Sequence, residues 1–290
     1  MPNSSDTQPR IALLIDADNA PAELIDEILT ELSTLGVINI RRAYGNWTKS
    51  ALNGWQARLL EFAIRPMQQF DYSKRKNASD MAMTVDAMEL LYTEQPDAFG
   101  IVSSDADFTP LVMHLRAKGA AVYGFGMAQT PLPFVNACSR FLYLEALAEA
   151  HEDADGDSSG VPVAAVDSAT TTSTASASPA PDAASVPRAP AAPAAAHMDR
   201  RVRVSTSKLR QDTALMNLLR DAVAAVQDET GWAKVGAVGT QISNKASFDA
   251  RNYGYPTLTK LMTATEAFDF RDEATSRVSV RDKRAGRSIG

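Results

Sequence analysis

The chain has 290 residues, 45% of them hydrophobic and 22% charged, and this length favours two domains over one. Its single cysteine, Cys138, excludes a disulfide framework and a thiolate zinc site. The opening MPNSSDTQPR lacks the apolar core of a secretory signal, and no apolar run approaches the roughly 20 residues that span a bilayer. We therefore expect a soluble, cytoplasmic protein.

The net charge of −6 is unevenly distributed. Residues 1–150 carry a net charge of −6 and residues 151–199 another −6, whereas residues 200–290 hold 16 Lys and Arg against 10 Asp and Glu and carry +6. An acidic half therefore precedes a basic half, which suits a polyanionic partner for the basic half. Different solubility needs of two domains would give the same pattern, so charge alone leaves both interpretations open.

Composition also predicts the domain boundaries. Residues 151–196 consist mostly of Ala, Pro, Ser, Thr and Asp, with almost no aromatic or large aliphatic side chains. Such a segment cannot bury enough apolar surface to offset its chain entropy. The resulting prediction is a first domain at 9–147, a disordered linker at 148–207, a second domain at 208–272 and a flexible basic tail at 273–290.

In the first domain, strand-like apolar runs alternate with helical runs. The predicted strands are RIALLID (10–16), VINIRRA (37–43), a short run near IRPMQQF (64–70), AFGIVSS (98–104), AAVYGFG (120–126) and an edge strand FLYLEAL (141–147). The predicted helices are 22–35, 51–62, 80–92, with Met81, Val85, Met88 and Tyr92 along one stripe, and 110–118. This alternation predicts an α/β fold with a mainly parallel sheet and helices on both faces, in which ligands bind beyond the carboxyl ends of the strands.

Carboxylates from three separate segments fall at that edge of the sheet. Asp16 ends the first strand, Asp105 and Asp107 follow the fourth, and Asp80 opens the helix after the third. Left unpaired, these groups would repel one another and raise their pKa values, and a bound Mg²⁺ or Mn²⁺ would relieve that repulsion. The alternative is that Asp80 and Asp107 are acids stabilising helix N-termini and that Asn19 is a turn residue.

The sequence does not decide whether two further acids, Asp18 and Asp86, join this site. Alternation along the chain should turn Asp18 away from Asp16. Asp86 lies six residues beyond Asp80 and therefore points to a different helix face.

Several motifs, in this order, resemble the signature blocks of the NYN domain family, of the limkain and LabA type, within the PIN-like nuclease superfamily. The blocks are IDADN (15–19), YGNW (44–47), KNASDMAMTVDAMELLYT (76–93), VSSDADFTPLVMHLRAKG (102–119) and FLYLE (141–145). The resemblance implies a Rossmann-like sheet with an acidic, metal-binding pocket. Its implied metal ligands are Asp16, Asp80, Asp105 and Asp107, with Asn19 as a supporting polar group. Ser104 departs from the family, which usually has Gly there, and its side chain would crowd the pocket slightly.

Metal chemistry then gives a mechanism. One or two ions held by Asp16, Asp80 and Asp105 would lower the pKa of a water molecule and polarise the scissile phosphate, with Asp107 orienting or ligating. Attack by that water leaves a 3′-hydroxyl and a 5′-phosphate. No histidine is needed, and the positions of the three present, His114, His151 and His197, disfavour a two-histidine, metal-free ribonuclease.

Basic and aromatic residues lie in the sequence near these acidic segments. Cations hold phosphates and aromatic rings stack bases, so these residues are candidate RNA contacts. The candidates in the first domain are Arg42, Trp47, Lys49, Lys74 and Lys76. For Trp47 and the neighbouring Tyr44, packing within a loop is an equally good interpretation.

The second domain shows three short helical patterns followed by the alternating runs AFDF (267–270) and RVSV (277–280), which predicts a winged helix-turn-helix. GWAKVGAVGTQIS (231–243), FDARNYGYPTLTKLM (248–262) and AFDF resemble the LOTUS, or OST-HTH, domain. That resemblance implies RNA binding or, in some members, protein binding. The candidate RNA contacts are Lys245, Arg251 and Lys260, whereas Tyr253 is better placed in the core.

The combined hypothesis is a divalent-metal-dependent ribonuclease with a tethered RNA-binding module, in which tethering raises the effective substrate concentration. The alternative is a non-catalytic RNA-binding adaptor with a relic nuclease pocket. A third possibility is an aspartyl-phosphate phosphatase of the haloacid-dehalogenase type, with DADNA (16–20) as its nucleophile loop. That pattern expects Thr or Val at Ala20 and leaves the KNASD block (76–80) unexplained.

Overall fold

The computed structural model describes residues 8–70, 78–148, 203–272 and 278–284. Most of the predicted linker and tail lies outside these ranges, and so do Lys74 and Lys76. Within these ranges, no helix is long and apolar enough to cross a membrane.

The first domain is built on a six-stranded parallel sheet, which confirms the predicted fold class. Its strands are β1 (Arg10–Asp16), β2 (Val37–Gly45), β3 (Arg65–Gln68), β4 (Ala98–Val102), β5 (Ala121–Gly126) and β6 (Arg140–Tyr143), in the order β3-β2-β1-β4-β5-β6. The interior of β1, residues 11–15, is apolar, and both of its faces are covered: Ile11 and Leu13 pack in one core, Ala12 and Leu14 in the other. The strand order reverses between β1 and β4, and ligands bind at such a point in open α/β sheets.

Helices cover both faces of this sheet. They are α1 (Ile25–Ser33), α2 (Trp55–Glu61), α3 (Ala78–Thr93), α4 (Thr109–Ala117), α5 (Leu132–Ala137) and α6, which begins at residue 144 and is described to residue 148. α1 and α2 pack on one face, and α3, α4 and α5 pack on the other. The predicted edge strand at 141–147 was therefore too long: β6 ends at Tyr143, and helix follows. The short α5 was not predicted.

The buried face of α3 differs from its predicted apolar stripe. Met81, Val85 and Tyr92 are 61%, 62% and 55% exposed, and the residues turned inward include Asp86. Asp86 is buried because Arg42 and Tyr44 of β2 both donate hydrogen bonds to its carboxylate. Beside the buried apolar residues Met83, Ala87 and Leu90, α3 thus buries one acid that is held by two side chains of the sheet.

The described part of the second domain combines four α-helices with a small antiparallel sheet. Its elements are α7 (Thr206–Gln211), α8 (Thr213–Val226), β7 (Ala233–Lys234), α9 (Val235–Lys245), α10 (Leu258–Ala264), β8 (Phe268–Arg271) and β9 (Ser279–Asp282), with strand order β7-β9-β8. The three predicted helices and the ribbon are present, and α7 and β7 are additions to them. β9 lies within the predicted flexible tail at 273–290, and α7 begins within the predicted linker, so the domain extends beyond the expected 208–272 at both ends. Leu215 and Leu219 of α8 pack with Val238 and Ile242 of α9 and with Leu261 of α10 in one core.

Candidate active site

Asp16 ends β1 and is only 1% exposed. Its Oδ2 accepts hydrogen bonds from Asn19 Nδ2 at 2.8 Å and from Ser103 Oγ at 2.9 Å. Its Oδ1 is buried and has no hydrogen-bond partner among the described residues. Burial is the main cause that raises the pKa of Asp16, and the negative charges of Asp18 and Asp105 add to it. A buried carboxylate oxygen without a partner suits a hard cation.

The loop that leaves β4 brings a second carboxylate to this point. Ser103 Oγ also accepts the backbone N–H of Asp105, at 3.1 Å. Asp105 caps the short 3-10 helix Ala106–Phe108, because its Oδ1 accepts the Asp107 N–H at 2.8 Å. Asp107 itself is exposed in the first turn of that helix. Its position fits either a metal ligand or an acid that stabilises the helix N-terminus.

Asp80 lies in the first turn of α3 and completes this cluster. Burial raises the pKa of Asp80 to about 6, and the charges of Asp16, Asp105, Asp18 and Asp107 contribute in that order. The charges that act on Asp80 therefore come from the end of β1 and from the loop after β4, the two strand ends that the start of α3 faces. We call these five residues the acidic corner.

Asp18 belongs to the acidic corner, although alternation along the chain predicted that it would turn away from Asp16. Its Oδ2 accepts a hydrogen bond from Ser79 Oγ at 3.0 Å, and its Oδ1 lies 3.5 Å from Lys49 Nζ. The alternation rule fails here because β1 ends at Asp16 and the chain turns at residues 17–19. Asp18 thus links the end of β1 to the start of α3 and brings one cation to the acidic corner.

The acidic corner supplies only oxygen donors, which fits Mg²⁺ or Mn²⁺. In the described part of the chain, however, no group of three or more His, Cys, Asp or Glu side chains is already placed to hold one ion. Asp105 is turned toward the Asp107 N–H, and Asp18 toward Ser79 and Lys49. The donor chemistry fits a divalent ion, whereas a preformed ligand cage is not found among these residues.

Comparison with known families decides the domain types. Residues 10–145 match the NYN domain, and residues 208–279 match the OST-HTH/LOTUS domain. The chain contains an NYN domain followed by an OST-HTH domain. NYN domains belong to a nuclease superfamily, and OST-HTH domains are associated with RNA.

Two individual proteins resemble parts of the chain. An uncharacterized protein of Methanocaldococcus jannaschii is 34% identical over 121 residues, which are 40% of this chain and 47% of that protein. The matched region is thus about half the length of this curated relative. A crystal structure of a protein of unknown function from Vibrio parahaemolyticus matches 49% of this chain and 96% of that chain, with a TM-score of 0.38 and 20% identity.

Ser104 and Arg42 take positions that the sequence did not predict, whereas Tyr44 is packed inside the domain, which was one of its two open interpretations. Ser104 Oγ accepts the backbone N–H of Met127 at 2.8 Å, so this side chain is held by the loop after β5, and the expected crowding of the pocket is not found. Arg42, a candidate RNA contact, is ion-paired with Asp86 and half-buried. Burial and the adjacent Asp86 carboxylate raise the pKa of the Tyr44 phenol, as expected for a buried structural network.

The other candidate RNA contacts are dispersed. Lys49 lies at the acidic corner, and Trp47 is half-buried, with its indole Nε1 enclosed and without a hydrogen-bond partner among the described residues. In the OST-HTH domain, Lys260 is exposed, and exposed Lys245 Nζ lies 2.7 Å from Asp221 Oδ2. Arg251 is engaged by two carboxylates and is described below.

Sequence reasoning missed Ser103 and Ser79, the two hydroxyls that hold the acidic corner together. Both lie close to an acid that the sequence analysis had named. Ser79 directly precedes Asp80, and Ser103 stands two residues before Asp105. A hydroxyl residue directly after a buried strand was the available signal for Ser103. Serine is common in turns, so this signal did not single out either residue.

Proposed function

We propose that this chain is a divalent-metal-dependent ribonuclease, which hydrolyses RNA phosphodiester bonds at the acidic corner and binds RNA through its OST-HTH domain. One observation carries the proposal: carboxylates from β1, α3 and the loop after β4 gather where the strand order reverses. The partnerless Oδ1 of Asp16 and the raised pKa of Asp80 are what a site built to bind a cation exhibits before the cation binds.

The residues have distinct roles in this proposal. Asp16, Asp80 and Asp105 would hold the ion, with Asp107 beside them as a further ligand or an orienting group. A bound ion supplies positive charge that polarises the phosphate and acidifies a water molecule. Asn19 and Ser103 hold the Asp16 carboxylate in place through its Oδ2, which leaves Oδ1 available for the ion.

Cations near the acidic corner and on the OST-HTH domain would bind the RNA backbone. Lys49 stands at the acidic corner, and Lys245 and Lys260 lie on the surface of the OST-HTH domain. Lys74 and Lys76 remain sequence-based predictions, because they lie outside the described residues. Arg42 is not part of this proposal, since its guanidinium is held by Asp86 within the NYN domain.

The decisive experiment measures cleavage of labelled single-stranded and structured RNAs by the full chain in Mn²⁺, Mg²⁺ or EDTA. We expect metal-dependent cleavage by the unchanged chain, and its loss in Asp16→Asn and Asp105→Asn. Asp26→Asn is the matched control, because Asp26 is an exposed acid on α1. Full cleavage by both acidic-corner variants would refute the proposed site.

A non-catalytic RNA-binding adaptor is the second candidate, and the absence of a preformed ligand cage among the described residues favours it. Calorimetric titration with Mn²⁺ separates the two functions. A ribonuclease should bind Mn²⁺ with an affinity that falls in Asp16→Asn, whereas an adaptor needs no ion. RNA binding without metal binding or cleavage would favour the adaptor.

A further inference from the structure

The NYN and OST-HTH domains touch at the free edge of β6. β6 is the last strand of the described sheet, so one side of its backbone has no neighbouring strand among the described residues. The side-chain amide of Asn252 fills this place: its Nδ2 donates to Phe141 O at 3.0 Å, and its Oδ1 accepts the Tyr143 N–H at 3.1 Å. Asn252 therefore pairs with the strand edge as a neighbouring peptide group would.

Four charged side chains surround this contact and form a closed ring, with two members from each domain. Arg251 of the OST-HTH domain donates to both carboxylate oxygens of Glu31 on α1, at 2.7 and 2.8 Å. Arg140 of β6 donates to Asp249 Oδ2 from Nε and Nη2, at 2.9 and 2.6 Å. Paired hydrogen bonds from a guanidinium are among the strongest and most geometrically specific polar contacts in proteins.

The ring also closes within each domain. Arg140 Nη1 lies 3.4 Å from Glu31 Oε1, and Arg251 Nη2 lies 2.9 Å from Asp249 Oδ2. Each domain therefore contributes one positive and one negative charge. If the domains separate, each keeps one pair of opposite charges on this surface. Buried charges without partners would otherwise carry a heavy cost.

Burial distinguishes this ring from an ordinary surface ion pair. The side chains of Asp249 and Glu31 are only 4% and 12% exposed. Although burial opposes ionisation of Asp249, Arg251 and Arg140 hold its pKa below the usual value. Hydrogen bonds from Arg251 likewise lower the pKa of Glu31. Ion pairs of this kind are screened by salt much less than exposed pairs are.

We propose that the segment Asp249–Asn252 is a docking site that holds the OST-HTH domain on the β6 edge of the NYN domain, so that the two domains act as one body in solution. This replaces the hypothesis of a freely tethered module. Arg251, a candidate RNA contact from the sequence, has the role of a docking residue instead. Both partners of the contact belong to the same chain, and their charges and hydrogen-bonding groups match one for one.

Docking has a consequence for RNA cleavage, and this part rests on the proposed ribonuclease function. A groove of about 850 Å³ lies between the domains, with α5 on the NYN side and residues such as Lys208 and Phe248 on the OST-HTH side. α5 also packs against the 3-10 helix that carries Asp107. RNA held by a docked OST-HTH domain would therefore meet the acidic corner at one fixed offset.

Single-molecule energy transfer in the full chain tests docking without using activity. Lys118→Cys and Glu229→Cys place two dyes on exposed positions of the two domains, while the native Cys138 is buried and resists labelling. We expect one narrow distance distribution. It should broaden when Arg251→Ala and Asn252→Ala are introduced, singly and together, with the thermal unfolding of each domain retained.

Arg210→Ala and Asn244→Ala are the matched controls, because both residues are exposed on the OST-HTH domain and neither belongs to the ring of charges or to the Asn252 contact. They should leave the distribution narrow. Two results would overturn the proposal. One is a broad dye-to-dye distance distribution in the chain without docking substitutions, and the other is a narrow distribution that stays narrow when Arg251→Ala and Asn252→Ala are combined. Energy transfer between separately labelled chains, in place of transfer within one chain, would overturn it as well.

The cleavage pattern tests the functional consequence separately. On an end-labelled RNA with one structured end, the docked chain should cut at a few positions at a constant offset from that structure. The Arg251→Ala, Asn252→Ala chain should cut at scattered positions with a similar total rate. If no chain cleaves RNA, the ribonuclease proposal fails, while the energy-transfer result still decides whether the domains dock.

Discussion

The Ser103 hydroxyl links the ends of the two strands between which the strand order reverses. It donates to Asp16 Oδ2 at 2.9 Å and accepts the Asp105 N–H at 3.1 Å. One small buried side chain therefore positions both the carboxylate that ends β1 and the loop that carries the carboxylates after β4. Groups that orient metal ligands in this way often matter nearly as much as the ligands themselves.

Replacing Ser103 with alanine should weaken the site more than the fold. We expect Ser103→Ala to lower Mn²⁺ affinity and the kcat/KM of RNA cleavage by about 10- to 100-fold, as losses of ligand-orienting groups do. The loss of stability should be about 1 kcal/mol, the typical worth of one hydrogen bond. Calorimetry and cleavage kinetics measure the first effect, and urea unfolding measures the second. Ser104→Ala is the control, since its hydroxyl contacts Met127; equal losses in both variants would contradict this assignment.

The acidic corner should destabilise the metal-free protein as pH rises. The pKa of Asp80 in the folded chain is about 6, above the ordinary 3.8. Its contribution to the free energy of unfolding is therefore fully present below pH 3.8 and is lost as pH rises through 6. Two pKa units correspond to about 3 kcal/mol, and solvent screening of this partly exposed group reduces the effect to about 1 kcal/mol.

Asp80→Asn should therefore be more stable than the unchanged chain in EDTA near pH 7, but not near pH 4. Thermal unfolding across that range measures the difference, and saturating Mn²⁺ should reverse it by stabilising only the unchanged chain. Asp26→Asn should follow the unchanged chain at every pH. Parallel stability curves for Asp80→Asn and the unchanged chain would show that Asp80 does not titrate in this range.

The Asp86 carboxylate should contribute to stability rather than to RNA binding. Asp86→Ala removes the partner of half-buried Arg42 and of the buried Tyr44 hydroxyl, and breaking such a pair costs about 3–5 kcal/mol. Arg42→Ala should also destabilise the chain while leaving the RNA affinity of the folded protein within about twofold. Urea unfolding and fluorescence anisotropy measure these two quantities. Weaker RNA binding by a fully stable Arg42→Ala chain would restore Arg42 as an RNA contact.

Lys260 should act through the phosphate backbone of RNA. It is exposed on α10, and its loss should weaken binding of single-stranded RNA similarly for every sequence. The plot of log affinity against log salt concentration should become less steep by about 0.7, the value for one phosphate contact on a single strand. Anisotropy titrations at several KCl concentrations measure the slope. Lys118→Ala, an exposed cation of the NYN domain, should leave it unchanged, and an unchanged slope in Lys260→Ala would remove Lys260 from the RNA surface.

The amino-acid sequence alone determined the parallel sheet, the order of the two domain types and the segments that carry the acids. The sheet follows from the spacing of apolar residues within short stretches of chain, whereas the domain types follow from the resemblance of short motifs to two families. The continuous apolar run of β1 requires cover on both faces, and an acid directly after such a strand must lie at the carboxyl edge of the sheet. Asp16 and Asp105 could be proposed as site residues in this way, and Asp80 from its place at the start of a helix, without any knowledge of their neighbours.

Only the tertiary structure decided what each polar side chain touches. Arg42 meets Asp86 across 44 residues, Ser103 meets Asp16 across 87, and Arg251 meets Glu31 across 220. A basic residue in a strand or loop has the same local pattern whether it binds RNA or a distant carboxylate. The choice depends on which carboxylate the folded chain brings within hydrogen-bonding distance, and burial then makes that pair costly to break.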